Sequence, residues 1–410
     1  MTRRRCEAGT LELGAGLEVL VAASLAGLAQ GTELDVVLAS RSSALELPAW
    51  ARRAGHAIVD ERTEGRTFVV TLGAGPSAGA LAPLAEGPAP QLDDGFSTAE
   101  LRRVAGAVPA HADPARGLVP LGAVPEPAGS AHDWGLSNRD PIWTDKLAGL
   151  ADRAAHLQWS AATDIPWEAV DGLKPDVERA VAQVMTYIAQ NEYAAYYLPA
   201  RYLAQVNPEY VEVMMWLASH VHDEARHVEV FTKRALAGGQ RSYALAATEL
   251  SLQTLLDQHD FSEAALLLNV LGEGTFLDLL AFIAAHAPDA ATATAARLAH
   301  RDERRHVHFG IAHVRYRLGH DPDERNRLVA AVEARAAKLV SLDGLSPIVG
   351  ESLVRMSARS LQPSDLGEAG RAVRDLMGRM HRNRIRRLRA AGFDRATAHE
   401  LSELHTPNLM

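Results

Sequence analysis

The sequence predicts a mainly α-helical protein with a small α/β module at its N-terminus, and three observations carry that reading. From Trp134 onward the apolar residues recur with the 3.6-residue period of helices, and no stretch alternates as a strand does. The first seventy residues mix short β-branched runs with helical ones. Two copies of the pattern Asp-Glu-x-Arg-His stand about eighty residues apart, each inside a long apolar-periodic segment without Pro.

In the N-terminal part, Thr10–Leu13, Glu33–Ala39, His56–Asp60 and Arg66–Leu72 read as strands. Glu18–Ala29 and Ser43–Ala54 read as helices, and Glu64-Gly65 marks a hairpin turn. The order is βαβαββ, a two-layer α/β domain over residues 1–75. Residues 76–133 read as a linker: the stretch from Gly75 to Ser130 holds nine of the twenty prolines, with one short helix within Leu92–Val108 after a Ser97 cap. Residues 134–400 form the helical domain. Its helices are expected over Asp176–Leu198, bounded by Pro175 and Pro199, and over Pro208–Leu236, Ser242–Gln258, Ser262–His286 and Ala290–Gly319. Further helices are expected over Asp323–Ser341, Ile348–Ser360 and Ser364–Ala391.

The repeated motif carries the chemistry. In Asp223-Glu224-Ala225-Arg226-His227 and Asp302-Glu303-Arg304-Arg305-His306, the Glu and His at i and i+3 share one helix face. A further Glu lies 32 residues before Glu224 and another 30 before Glu303, namely Glu192 and Glu273, each in an apolar helical run. Glu, Glu-x-x-His, Glu and Glu-x-x-His on four helices is the ligand set of carboxylate-bridged two-metal sites. Buried carboxylates would otherwise be protonated or destabilising. Two divalent ions neutralise four carboxylates while both His stay uncharged. Oxygen with imidazole suits iron or manganese better than zinc. Asp223 and Asp302 are placed to accept the free N–H of a ligating His.

Composition bounds the rest. A length of 410 residues with 47% apolar and 23% charged residues describes a globular chain with an ample core. There is no run of about 18 uncharged apolar residues and no signal-peptide core, so no membrane span is expected. Cys6, the single cysteine, rules out an internal disulfide and a Cys-based metal site, and a cytoplasmic location is expected. The net charge of −9 argues against nucleic-acid binding. Against that acidic balance, Arg371, Arg374, Arg379, Arg382, Arg384, Arg386, Arg387 and Arg389 crowd the last long helix. They read as a solvated face or as a docking site for an acidic carrier or electron-transfer protein.

Two resemblances follow from these residues. The stretches LELGAGLEVLVAASLAGLAQGTELDVVLAS and LELPAWARRAGHAIVDERTEGRTFVV resemble small sulphur carriers of the TusA/SirA type. That family works through a Cys-Pro pair opening its first helix. Gly16–Leu20 has neither residue and Cys6 precedes the expected first strand, which implies a module without sulphur transfer that serves docking or stability. From Trp159 to Leu318, with the lead-in QWSAATDIPWEAV, the chain resembles the diiron-carboxylate branch of the ferritin-like superfamily. That branch includes multicomponent monooxygenase hydroxylases, acyl-carrier-protein desaturases, and ribonucleotide reductase small subunits with their related ligand-binding oxidases. The resemblance implies a ferritin-like four-helix bundle with additional helices. One metal would be held by Glu192, Glu224 and His227, and the other by Glu273, Glu303 and His306. Glu224 and Glu303 would be the bridging, catalytic carboxylates.

No single subfamily pattern is intact. Phe231 stands where a radical Tyr would, Glu192 where those reductase subunits use Asp, Leu277 where the hydroxylases use Thr, and Ala299 where arylamine N-oxygenases add a third His. Thr275 falls on the wrong side of a regular helix to replace that Thr. Ile188, Tyr196, Val228, Phe231, Val270, Phe276, Leu277 and Phe309 lie one turn from the ligands, as pocket lining or as plain core. Gly272 and Gly274 flank Glu273 and allow a bulged turn or close substrate approach, with plain packing as the alternative. His220, His222, His300 and His308 are assigned to surface or supporting positions, and Tyr193, Tyr196 and Tyr197 to packing or electron transfer. Arg226 and Arg305 are expected to pair with carboxylates.

The resemblance implies an O₂-dependent oxygenase with two iron ions, or a manganese–iron pair. It would hydroxylate, N-oxygenate or desaturate a small organic or carrier-bound substrate, with an electron-donor protein. A biosynthetic tailoring role and a homodimer are expected. A ferroxidase without organic substrate and an interaction protein with a vestigial site are the alternatives.

Overall fold

The computed structural model describes residues 4–75, 96–123, 132–170, 172–340 and 346–405. The chain divides into two compact units, residues 1–91 and 92–410.

The first unit has the order β1 (Arg4–Gly9), α1 (Leu17–Leu25), β2 (Glu33–Leu38), α2 (Arg41–Arg53), β3 (Ala57–Glu64), β4 (Thr67–Gly73). The sheet runs β1-β2-β4-β3, with β1 parallel to β2 and the other pairs antiparallel. Leu17, Val21, Leu25 and Leu47 of the helices form one core with Leu34, Val36, Leu38, Val70 and Leu72 of the strands. The first strand lies earlier than the expected Thr10–Leu13. Cys6 and Ala8 alternate inward along Arg4–Gly9, and Gly9 at φ 57 turns the chain out of the sheet. Cys6 is therefore a buried strand residue, not one preceding the sheet.

In the second unit, residues 98–105 form α3 behind a Ser97–Glu100 capping box. Thr98 and Arg102 tie α3 to Asp152 and Glu212. Residues 76–95 and 124–131 of the Pro-rich stretch lie outside the described residues. There follow α4 (Leu147–His156), α5 (Pro175–Leu203), α6 (Val211–Ala237), α7 (Ala246–Leu256), α8 (Phe261–Ala264), a π-helical stretch Ala265–Gly272, α9 (Glu273–His286) and α10 (Ala290–His320). The C-terminal helices are α11 (Glu324–Leu339), α12 (Pro347–Ser357), α13 (Pro363–Ala390) and α14 (Arg395–Leu404).

Pairs α5–α6 and α9–α10 make the four-helix core, and the remaining helices pack around it. Helix α5 starts at Pro175, whose missing N–H costs nothing there, but it does not stop at Pro199 as expected. Pro199 is buried inside the helix, which runs on to Leu203. Phe261–His286 is apolar enough to span a membrane, yet 89% of its most apolar window is buried within the protein. The π-helical stretch sits directly before Glu273 and ends at Gly272. A side chain at Gly274 would approach Arg387 Nε to 2.8 Å, so this glycine serves close packing.

Candidate metal centre

All six carboxylate and imidazole residues expected as ligands are buried and come together between α5, α6, α9 and α10. Their ligand atoms fall into two overlapping groups. In position A, atoms of Glu192, Glu224, His227 and Glu303 lie within 4.8 Å of one another. In position B the same holds for His220, Glu224, Glu273 and His306.

Glu224 and Glu303 face both positions. Glu224 Oε2 lies 3.3 Å from His227 Nδ1, and its Oε1 lies 2.9 Å from His306 Nδ1. Glu303 repeats the arrangement, with Oε1 3.3 Å from His227 Nδ1 and Oε2 3.3 Å from His306 Nδ1. Both Glu224 oxygens, Glu192 Oε1, Glu303 Oε1 and His227 Nδ1 are nevertheless buried without a hydrogen bond. Atoms this close, aimed at shared points rather than at each other, are arranged as ligands. Four donors about 2.1 Å from one ion stand roughly 3.0–3.5 Å apart. The residues present therefore fit two divalent ions.

The electrostatics agree with that fit. Burial, with the carboxylates of Glu224 and Glu303, pushes the Glu192 carboxyl well up. Burial also raises Glu273, with His220 opposing it. Burial would raise Glu224 too, but the imidazoles of His227, His220 and His306 outweigh it and hold that carboxyl well down. Burial disfavours a charged imidazole at His227 and His306, yet the surrounding carboxylates raise both well above the usual histidine range. Divalent cations would satisfy these charges together.

Behind the imidazoles lies a ring of alternating charge. His306 Nε2 meets Asp223 Oδ2 at 3.3 Å, and His227 Nε2 lies 3.5 Å from Asp302 Oδ2. Each Asp thus supports the His of the other motif. Arg226 ion-pairs with Asp223 and reaches Asp302 at 3.0 Å, while Arg305 reaches Asp223 at 2.6 Å and Asp302 at 2.9 Å. The Trp159 indole donates to Asp302 Oδ2 at 2.6 Å, and its ring lies under the Arg226 guanidinium. These contacts hold the two Asp carboxyls down against burial.

Sequence reasoning left out three participants. His220 is 2% exposed and belongs to position B, not to the surface. Asn269 donates to Glu273 Oε2 at 2.7 Å from within the π-helical stretch. Trp159 entered only through the resemblance of its segment. By contrast His222 and His308 are exposed and His300 is half-buried.

Two cavities flank the cluster. One, about 20 Å³, lies against Glu192 and Glu273 and is lined by Leu252, Leu255, Leu268 and Phe276. The other, also about 20 Å³, lies against His220 and Asn269, with Leu217 and Phe309 in its wall. Phe276 and Phe309 thus line space beside the cluster. Ile188, Phe231 and Val270 are buried in the core, and Tyr196, Val228 and Leu277 are only half-buried. Tyr193 and Tyr197 stack on the surface, both about half exposed. Of the basic helix, Arg384 is buried and Arg387 largely so, paired with Asp278 at 3.1 Å; the other six arginines stay exposed.

No family model and no curated protein matches the sequence. Among solved structures, an R2-like ligand-binding oxidase with aerobically reconstituted Mn/Fe cofactor is 17% identical, covering 64% of this chain and 92% of its own, with a TM-score of 0.42. The same oxidase after photoconversion is 16% identical, covering 64% and 91%, with a TM-score of 0.41. Likeness at this level names no family for the chain.

Proposed function

We propose that this chain is a dimetal oxygenase, holding two iron ions, or a manganese–iron pair, between Glu192, Glu224, His227, Glu273, Glu303 and His306. The observation that supports it is the convergence of buried ligand atoms on two points, several of which, both Glu224 oxygens among them, have no hydrogen-bond partner. When bound and reduced, such metals supply the activation of O₂ for oxidation of a small organic substrate by hydroxylation, N-oxygenation or desaturation.

The chain's own residues do the rest. Glu224 and Glu303 each offer one oxygen to each position and would help to hold both ions. Asp223 keeps a proton on Nε2 of His306, and the carboxylate of Asp302, 3.5 Å from Nε2 of His227, favours the same protonation there, which leaves each Nδ1 as the donor atom. Leu252, Leu255, Leu268 and Phe276 exclude water from the side of Glu192 and Glu273, where about 20 Å³ accommodates a molecule the size of dioxygen. The six exposed arginines of α13 form the docking face for an acidic electron donor or carrier protein.

The small cavities favour one other reading, oxidation of iron itself without an organic substrate. Metal analysis of the purified protein, with optical spectra before and after anaerobic reduction and O₂ exposure, tests both readings. Two metals per chain and an O₂-dependent spectral change are expected, lost together in Glu224→Ala and Glu303→Ala. Continuous uptake and oxidation of many irons per chain identifies the iron-oxidising alternative. Retention of both metals in either variant overturns the ligand assignment.

A further inference from the structure

We infer that His220 is a seventh protein ligand, which makes position B richer in nitrogen than position A. This inference rests on the dimetal reading and deepens it. His220 stands one turn before Glu224 on α6, so both side chains share the face turned to the cluster. Its Nε2 lies 3.1 Å from Glu273 Oε1 and 3.5 Å from Glu224 Oε1. The same two oxygens lie 4.0 and 2.9 Å from His306 Nδ1. Three of these separations are close to those of neighbouring donors around one ion, about 3.0–3.5 Å at bond lengths near 2.1 Å, and the 4.0 Å one approaches that of donors on opposite sides, about 4.2 Å.

The neighbours of His220 favour ligation over simple support of Glu273. Asn269 already donates to Glu273 Oε2 at 2.7 Å, so that carboxylate is oriented without help from His220. The rings of His220 and His306 stack with centroids 3.9 Å apart, which places both donor nitrogens beside the same two oxygens. The counterpart on α10, one turn before Glu303, is the buried Ala299, so nothing repeats the arrangement at position A.

Position A therefore offers one imidazole with carboxylates from Glu192, Glu224 and Glu303, and position B two imidazoles with carboxylates from Glu224, Glu273 and Glu303. Imidazole-rich sites hold late divalent ions such as Co²⁺ more tightly than carboxylate-rich ones. The two positions then fill in order, B before A. The cavity beside His220 lies against position B, where an added small ligand can enter.

The test is titration of metal-free protein with Co²⁺, read by visible absorption and bound metal per chain. It compares the unmodified chain, His220→Ala and His220→Gln, with folding checked by circular dichroism. The unmodified chain is expected to bind two Co²⁺ with unequal affinity. In His220→Ala the tighter event weakens at least about a hundredfold, beyond what loss of a supporting partner causes, and its absorption band changes. Added imidazole restores that band. His220→Gln, which keeps a hydrogen-bond donor toward Glu273, stays as weak as His220→Ala. Two Co²⁺ bound with unaltered affinity and spectrum in both variants would overturn ligation by His220 while leaving the dimetal reading intact. Failure of the unmodified chain to bind two ions removes that reading and this inference with it.

Discussion

Asp223 on α6 accepts from Nε2 of His306 on α10 at 3.3 Å, so the residue preceding one Glu of the pair orients the imidazole of the opposite motif. Burial works against ionisation here, but the His306 contact, with Arg305 reaching the same carboxylate oxygen at 2.6 Å, holds the Asp223 carboxyl down. Replacing Asp223 by Asn keeps the volume but weakens the acceptor and breaks the ion pairs. Metal affinity is expected to fall about 10–100-fold, as for other partners of ligating histidines. A metal titration with an unchanged midpoint would show that His306 is held by something else.

Arg234 ties three helices together away from the metal cluster. Its guanidinium, 0% exposed, bonds both oxygens of Glu178 at 2.6 and 2.9 Å, Asp289 at 2.9 Å and Thr292 at 2.7 Å. Asp289 is also the N-cap of α10, accepting from Thr292 N at 2.7 Å. Arg234→Ala leaves two buried carboxylates uncompensated, and a loss of about 3–5 kcal/mol is expected in urea unfolding. A loss under about 1 kcal/mol, the range of exposed pairs, would contradict this account.

The clustered carboxylates and imidazoles were legible because a helix repeats its faces every three to four residues, so Glu224 with His227 and Glu303 with His306 announce one surface each. The pairing of each Asp with the opposite His was not legible, because it depends on which helices lie side by side. His220 was assigned to a surface or supporting position for a related reason. Its spacing to Glu224 is helical, but the second motif has Ala299 at that place, and looking for symmetry discards it. The π-helical stretch before Glu273 left only the flanking glycines as a signal. In the N-terminal unit, charged Arg4, Arg5 and Glu7 disguised β1, an edge strand whose inward residues are the small Cys6 and Ala8.

Close approach of α10 to the π-helical stretch depends on Gly310. A Cβ there would lie 2.5 Å from Asn269 Cβ and 3.2 Å from the Ala265 carbonyl oxygen. Gly310→Ala gains about 1 kcal/mol of helix propensity but forces this contact apart. A net destabilisation of roughly 1–3 kcal/mol is expected. The shift falls on Asn269, which orients Glu273, so metal affinity should drop alongside Tm. A stabilised variant with normal metal binding would show that the helices can separate at no cost.

Acid sensitivity should arise in part from His313, outside the metal cluster. It is fully buried, with Nδ1 3.0 Å from the Trp143 carbonyl oxygen and Nε2 3.0 Å from the Ser262 hydroxyl. Burial depresses its pKa to about 4, and the Arg317 cation adds to the effect. The unfolded chain has the ordinary histidine value near 6.5, so below that pH it binds a proton that the folded protein refuses. Stability from this residue is therefore complete above about pH 6.5 and is lost as the pH falls toward 4. The loss amounts to about 2–3 kcal/mol by pH 4.5. His313→Gln cannot take up that proton. It should be the less stable protein at pH 7.5, where it lacks the native hydrogen bonds, and the gap should close as the pH falls. Urea midpoints for both proteins at pH 7.5, 6 and 4.5 check the sign, and parallel curves would mean that His313 does not titrate between folded and unfolded states.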